Sequence, residues 1–256
     1  MVGTVWIHLL PDAFSQFLNP CLEGFWTYLG PAFVGIFGMI ASFSVQLIEV
    51  GTLGSHLPPS LSQSCSLNNS DMDIVERLED ESRLEVESKF VEQKRIVKEY
   101  LETFILEAGI LVHSLVIGVT LGVTSDDGFS TLLIAVSTHQ LFEGMALGAM
   151  IAEVDISTKQ KLLVGLLYPL TTPIGIAIGI AIHDQFNTHV QISLILQGVF
   201  TSLSSGILLY NVYCELINNE INRNIHMYTY TKSFKALCFT IMYLGTLTMA
   251  VLAIWV

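Results

Sequence analysis

Charge is scarce in this sequence. Only 13% of its 256 residues are Asp, Glu, Lys or Arg, against roughly 25% in soluble proteins. With 52% hydrophobic residues, that shortage excludes a water-soluble domain as the main architecture. Cysteine is scarce too. Cys21, Cys65, Cys214 and Cys238 stand far apart without a paired spacing, which argues against a zinc ribbon or a disulfide scaffold. No cleavable leader is visible, and the first residues already read as part of a membrane helix carrying His8 and Asp12. The net charge of −12 does not mark a surface for basic ligands, because the acids are concentrated in one stretch, Asp71 to Glu99. There they alternate with Arg77, Arg83, Lys89, Lys94, Arg95 and Lys98, the pattern of a solvated helix, and nothing supports nucleic-acid binding.

What the sequence does have is long apolar runs. A spanning helix needs about 20 such residues. Segments 1–18, 32–50, 103–124, 129–152, 162–182, 191–217 and 235–256 qualify, with the first cut short, so seven spans are expected. Backbone polar groups in lipid must be satisfied within the segment, which makes these helices and the fold an all-α polytopic membrane helix bundle. Basic residues orient it. All eleven Lys and Arg fall in 51–102, 153–161 and 218–235, and none in 19–31, 125–128 or 183–190. The first three stretches are therefore expected in the cytoplasm, with the C-terminus opposite. This divides the chain into two membrane helices (1–50), a cytoplasmic loop of linker plus charged helix (51–102) and a five-helix membrane region (103–256).

Within these runs stand ionisable groups, which are costly in a membrane and so mark function. His113 lies near the middle of 103–124, and His139 and Glu143 lie at similar depth in 129–152. Spaced by four, His139 and Glu143 share a helix face, with Gln140 beside them. Imidazole and carboxylate together suit zinc, iron(II) or manganese, so His113, His139, Gln140 and Glu143 are the expected metal ligands. The alternative is a His–Glu pair that merely ties two helices. His8, Asp12, Glu107, Ser114 and Glu215 are candidates for the pathway on either side. Gly118 and Gly122 form a G-x-x-x-G that permits close helix approach, as do Gly144 and Gly148. Pro169 and Pro173 remove two backbone donors from 162–182, giving either a broken helix bordering a cavity or a harmless kink.

These strings resemble the ZIP (Zrt/Irt-like) family of metal transporters. Leu106 to Gly118 looks like the family's fourth helix, and His139-Gln-Leu-Phe-Glu-Gly-Met-Ala-Leu-Gly148 like its fifth. His8 to Ala13 resembles the second and Pro31 to Glu49 the third, while Pro173 to Gly179 and Gly206 to Tyr210 echo the sixth and seventh. The resemblance implies eight helices, a metal route between the fourth and fifth, and transport toward the cytoplasm. Against that pattern, this chain begins inside the second helix. The carboxylates with which some members hold a second ion are replaced by Ile117 and Thr172, so a single-ion site is expected. The loop offers only His56, where many relatives are histidine-rich.

The expected function is transport of a divalent ion, zinc first and iron or manganese next. The ion is cargo, with no cofactor implied. Ion and lipid are the partners, and a homodimer is among the allowed assemblies. An intramembrane hydrolase would need H-E-x-x-H with a free Glu as base. Here Gln140 takes the place of that Glu, so no enzyme is expected. The remaining alternative is a truncated, non-transporting relative.

Overall fold

The computed structural model describes residues 1–55, 75–124, 126–188 and 190–252. The Ser/Pro/Asn-rich linker with His56 lies outside them. Helix α1 opens π-wound over Thr4–Leu9 and continues α-helical over Leu10–Phe17. After a short α2 (Phe25–Leu29) come α3 (Ala32–Ser55), α4 (Val75–Val123), α5 (Asp126–Glu153) and α6 (Thr158–Thr188). Helix α7 (Val190–Tyr210) continues π-wound over Asn211–Asn222, and α8 (Ile225–Thr229) and α9 (Lys232–Leu252) complete the described chain. The fold is an all-α helix bundle.

Its polarity is that of a membrane protein. Leu47 and Phe43 of α3, Leu162, Leu163 and Leu170 of α6, and Ile241 and Leu247 of α9 face outward. The interior holds His113, Ser114, His139, Glu143, Ser202, Ser205 and Asn211. Water would not tolerate that outer face, whereas lipid would. Among the described residues, five helices are long and apolar enough to cross a membrane: Ala32–Thr52, Arg95–Val123, Thr158–His183, Val190–Asn219 and Lys232–Val251. The two other expected spans fall outside that group for separate reasons. The regular part of α1 is short, and the hydropathy of α5 is lowered by the polar residues it turns inward, His139, Gln140 and Glu143.

Packing follows the glycines. On α4, Gly118 and Gly122 meet Gly175 and Gly179 of α6, and a Cβ at any of the four would collide with a carbonyl of the other helix. Helices α4 and α6 are the most extensively packed pair. Gly206 of α7 lies equally close to the backbone of Gly38 on α3, and Ser42 Oγ donates to the Gly206 carbonyl at 2.9 Å. The second G-x-x-x-G behaves differently: Gly144 faces the Tyr168 ring, and Gly148 has open space beside it. Helix α6 stays continuous through Pro169 and Pro173, and Thr171 Oγ1 donates to the Leu167 carbonyl at 2.8 Å. A cavity of about 580 Å³ borders this stretch, lined by Tyr168, Pro169, Thr172 and Pro173 with Gln140 opposite.

Candidate metal centre

Helices α1, α4 and α5 each bring one histidine to a common point. His113 comes from the apolar C-terminal part of α4 and His139 from the middle of α5, and their rings stack with centroids 5.6 Å apart at 12°. His8 completes the group, 5.8 Å from His113 and 4.9 Å from His139. One ligand nitrogen from each of the three lies within 4.8 Å of the other two. Three nitrogens around a tetrahedral zinc, each at 2.0–2.1 Å, would stand about 3.4 Å apart, so a contraction of at most about 1.4 Å would close the set.

The backbone of α1 sets His8. Pro11 has no N–H to give its own helix, and the turn before it is π-wound, with the Leu10 N–H reaching back to the Val5 carbonyl. Such a turn often marks a functional site. His8 Nδ1 then lies 3.1 Å from Asp12 Oδ2, one turn on. A carboxylate on one ring nitrogen fixes the tautomer and leaves the other as a lone-pair donor.

The free atoms are the telling ones. His8 Nε2, His113 Nε2 and His139 Nε2 are buried without a hydrogen-bond partner, and so are both carboxylate oxygens of Glu143. Glu143 lies one turn beyond His139 and is 1% exposed, with Thr4 beside it. Buried polar atoms in folded proteins are almost always satisfied. Three unpartnered nitrogens on three neighbouring side chains suit a cation with nitrogen ligands, whereas the Glu143 carboxylate lies outside that group and interacts with the Met1 ammonium.

The other expected residues sort differently. Gln140 turns away from the histidines. Its amide donates to Thr172 Oγ1 and to Ser114 Oγ at 3.1 Å, and its oxygen accepts from the Tyr168 hydroxyl at 2.9 Å. It ties α4, α5 and α6 together, with Ser114 as part of the tie. Glu107 is buried with Oε1 unpartnered, but it lines a small cavity with Tyr100 and Thr103, apart from the histidines. Glu215 lies at the far end of the bundle with Glu49 and Glu102. The ammonium of Lys98 stands among these three carboxylates, 3.0 Å from Glu102 and Glu215 and 3.6 Å from Glu49. Sequence reasoning places His8 in the pathway and does not join it to the other two histidines. The signal available is its carboxylate partner one turn away.

Access to the cluster is unequal on its two sides. Toward the 19–31 end, a cavity of about 200 Å³ reaches it past Asp12, Gln16, Thr120 and Gln197. Toward the other end it is sealed by a buried apolar layer of Val5, Leu9, Leu106, Ile110, Leu147, Ile151 and Leu208.

Fold and site together define a class, a membrane helix bundle with a cation-binding cluster in its interior. Comparison with known proteins supplies the family. The model of the ZIP zinc transporter family matches residues 1–253. Zinc transporter 3 of Oryza sativa subsp. japonica is 28% identical, over 100% of this chain and 76% of its own length. Zinc-regulated transporter 1 of Candida albicans is 31% identical, over 100% of this chain and 51% of its own. Fe(2+) transport protein 2 of Arabidopsis thaliana is 28% identical over 100% and 74%. No solved structure matches. The chain belongs to the ZIP zinc transporter family. It is an integral membrane protein for divalent metal transport, not an enzyme.

Proposed function

We propose that this protein carries zinc toward the cytoplasm through a single mid-membrane site formed by His8, His113, His139 and Glu143. The observation that carries the reading is the convergence of three buried, unpartnered imidazole nitrogens, with the Glu143 carboxylate one turn beyond His139. Neutral imidazoles give affinity without trapping charge, and one carboxylate offsets half the charge of the ion. That combination lets an ion both bind and leave. Gln140 serves as a brace that holds α4, α5 and α6 around the site. The direction is what membership of the ZIP family implies, and the confinement of every Lys and Arg to alternate loops supports only the orientation of the bundle. The cavity past Asp12 then faces the outside, with the apolar layer between site and cytoplasm. Zinc leads because the family model and most of the similar proteins are named for it, while the Fe(2+) transport protein among the relatives keeps iron(II) as a second cargo. Uptake of radiolabelled zinc into proteoliposomes, with iron(II) as competitor, tests this. Parental-rate uptake by His139→Ala and Glu143→Ala proteins that insert normally would refute the site.

A further inference from the structure

The stripe of α4 that faces the metal centre does not end there. Glu102 stands eleven residues before His113, about three turns, and so points the same way. Lys98 follows one turn further on the same stripe, about 22 Å along the axis from His113. Its ammonium bridges three helices. It lies 3.0 Å from Glu215 of α7, 3.6 Å from Glu49 of α3, and 3.0 Å from Glu102 on its own helix. The two distant acids are themselves braced. Tyr210 donates to Glu49 at 2.6 Å and Asn219 to Glu215 at 3.2 Å. The Glu215 side chain is only 5% exposed and that of Lys98 26%, so the pairing is shielded from water. A cavity of about 510 Å³ opens beyond it, lined by Arg95, Lys98, Glu99, Glu102, Glu215 and Asn219. By contrast, among the described residues Arg95 pairs with Glu92 and Glu99 on its own helix, largely in solvent.

We infer that Lys98 is an ionic latch at the inner mouth of the pathway. It fastens α4 to α3 and α7 and must release for an ion to leave. This rests on the proposed transport direction. The apolar layer below the histidines opens only if the helices forming it separate. Leu106 and Ile110 of that layer lie on α4 between the metal centre and Lys98, and Leu208 lies on α7 before Glu215. Fastening α4 to α7 at Lys98 therefore holds the layer shut. The ammonium is also a cation already seated among three carboxylates, so a divalent ion arriving from above competes for the same oxygens and favours release.

Two opposite charge changes separate a latch from a simple field effect. Lys98→Met removes the ammonium and makes the mouth more negative. Glu49→Gln with Glu215→Gln removes the inter-helix partners and makes it less negative. Both break the latch, so both should raise the maximal rate of zinc uptake into proteoliposomes, by roughly three- to tenfold, the range a shielded ion pair controls. The concentration for half-maximal uptake should stay within about twofold, because the histidine site is untouched. Lys98→Arg, which keeps the charge and the reach, should behave as the parent. Amide hydrogen exchange in 45–52 and 211–219 should quicken in both latch-breaking variants and not in Lys98→Arg. Rates that move in opposite directions would overturn the latch, as would unchanged exchange in both. Absence of uptake by the parental protein would instead sink the transport reading, and the exchange data would still decide on the latch.

Discussion

A buried imidazole nitrogen without a partner forgoes about 1–3 kcal/mol relative to a satisfied one, and three of them meet between α1, α4 and α5. That cost is offset when a cation takes their lone pairs. Zinc titration of the purified full chain by calorimetry should therefore lose its tight equivalent in His8→Ala, His139→Ala and Glu143→Ala alike. Gln140→Ala should keep the equivalent, because its amide is spent on Ser114, Thr172 and Tyr168. Full loss in Gln140→Ala would return it to the ligand set. Asp12 offers a sharper discrimination. As the group that orients His8, its change to Asn should weaken equilibrium binding by about 10- to 100-fold. An acid that merely gathers ions would leave the equilibrium affinity at high salt unchanged. The residue pattern also shows how far the site is legible in sequence. His113, His139 and Glu143 stand out because an ionisable group inside an apolar run is too costly to keep without a role. Gln140 follows His139 by one residue, about 100° around the helix, and so faces another side, whereas Glu143 returns to within about 40°. His8 cannot be joined to the site from sequence, since tertiary packing alone decides where α1 crosses the other helices.

Among the helices, contact is made through backbone, and this is half legible. The G-x-x-x-G of Gly118 and Gly122 marks a close approach, but the partner glycines on α6 lie 57 residues further along in each case (Gly175, Gly179), where only the fold connects them. Because the backbones touch, Gly118→Val or Gly122→Val should push α4 from α6, with a loss of about 1–3 kcal/mol or more. Thermal unfolding in detergent should show it as a lowered midpoint. Gly148→Ala, with open space at the Cβ, should leave the midpoint within a degree or two. An unchanged midpoint in Gly122→Val would mean that the α4–α6 contact is looser than described. The prolines of α6 show the opposite limit of sequence reasoning. Their missing donors are visible in any sequence, yet the helix passes both without a break. The charged first half of α4 reads as a solvated helix, and Arg95 behaves so. Lys98 departs from it, because acids on α3 and α7 close around it and no pattern within α4 announces them.

For the whole molecule, the fold is legible at the level of class, since scarcity of charge and length of apolar runs leave little but a membrane bundle. The count of spans is less so, because α1 and α5 bend the rules that a lipid-facing helix obeys in order to carry ligands. Transport by such a site has a defined pH response. An imidazole must be unprotonated to bind metal, and its ordinary pKa is about 6.5. Protons compete for the same nitrogens, so apparent zinc affinity should fall as pH is lowered through the range in which these buried imidazoles protonate, and should recover on return. Affinity that rises on acidification would contradict a histidine-ligated ion. Stoichiometry tests the same idea from another side. Thr172 is committed to Gln140 and Ile117 is apolar, so one tight ion per chain is expected in the membrane interior. The most direct measurement is X-ray absorption at the zinc edge on the purified protein with one equivalent of zinc. The expected spectrum has a nitrogen/oxygen shell near 2.0–2.1 Å with the outer-shell scattering of about three imidazoles, falling by one imidazole in His8→Ala. A shell without imidazole scattering, or one that His8→Ala and His139→Ala leave unchanged, would contradict the assignment of the metal centre.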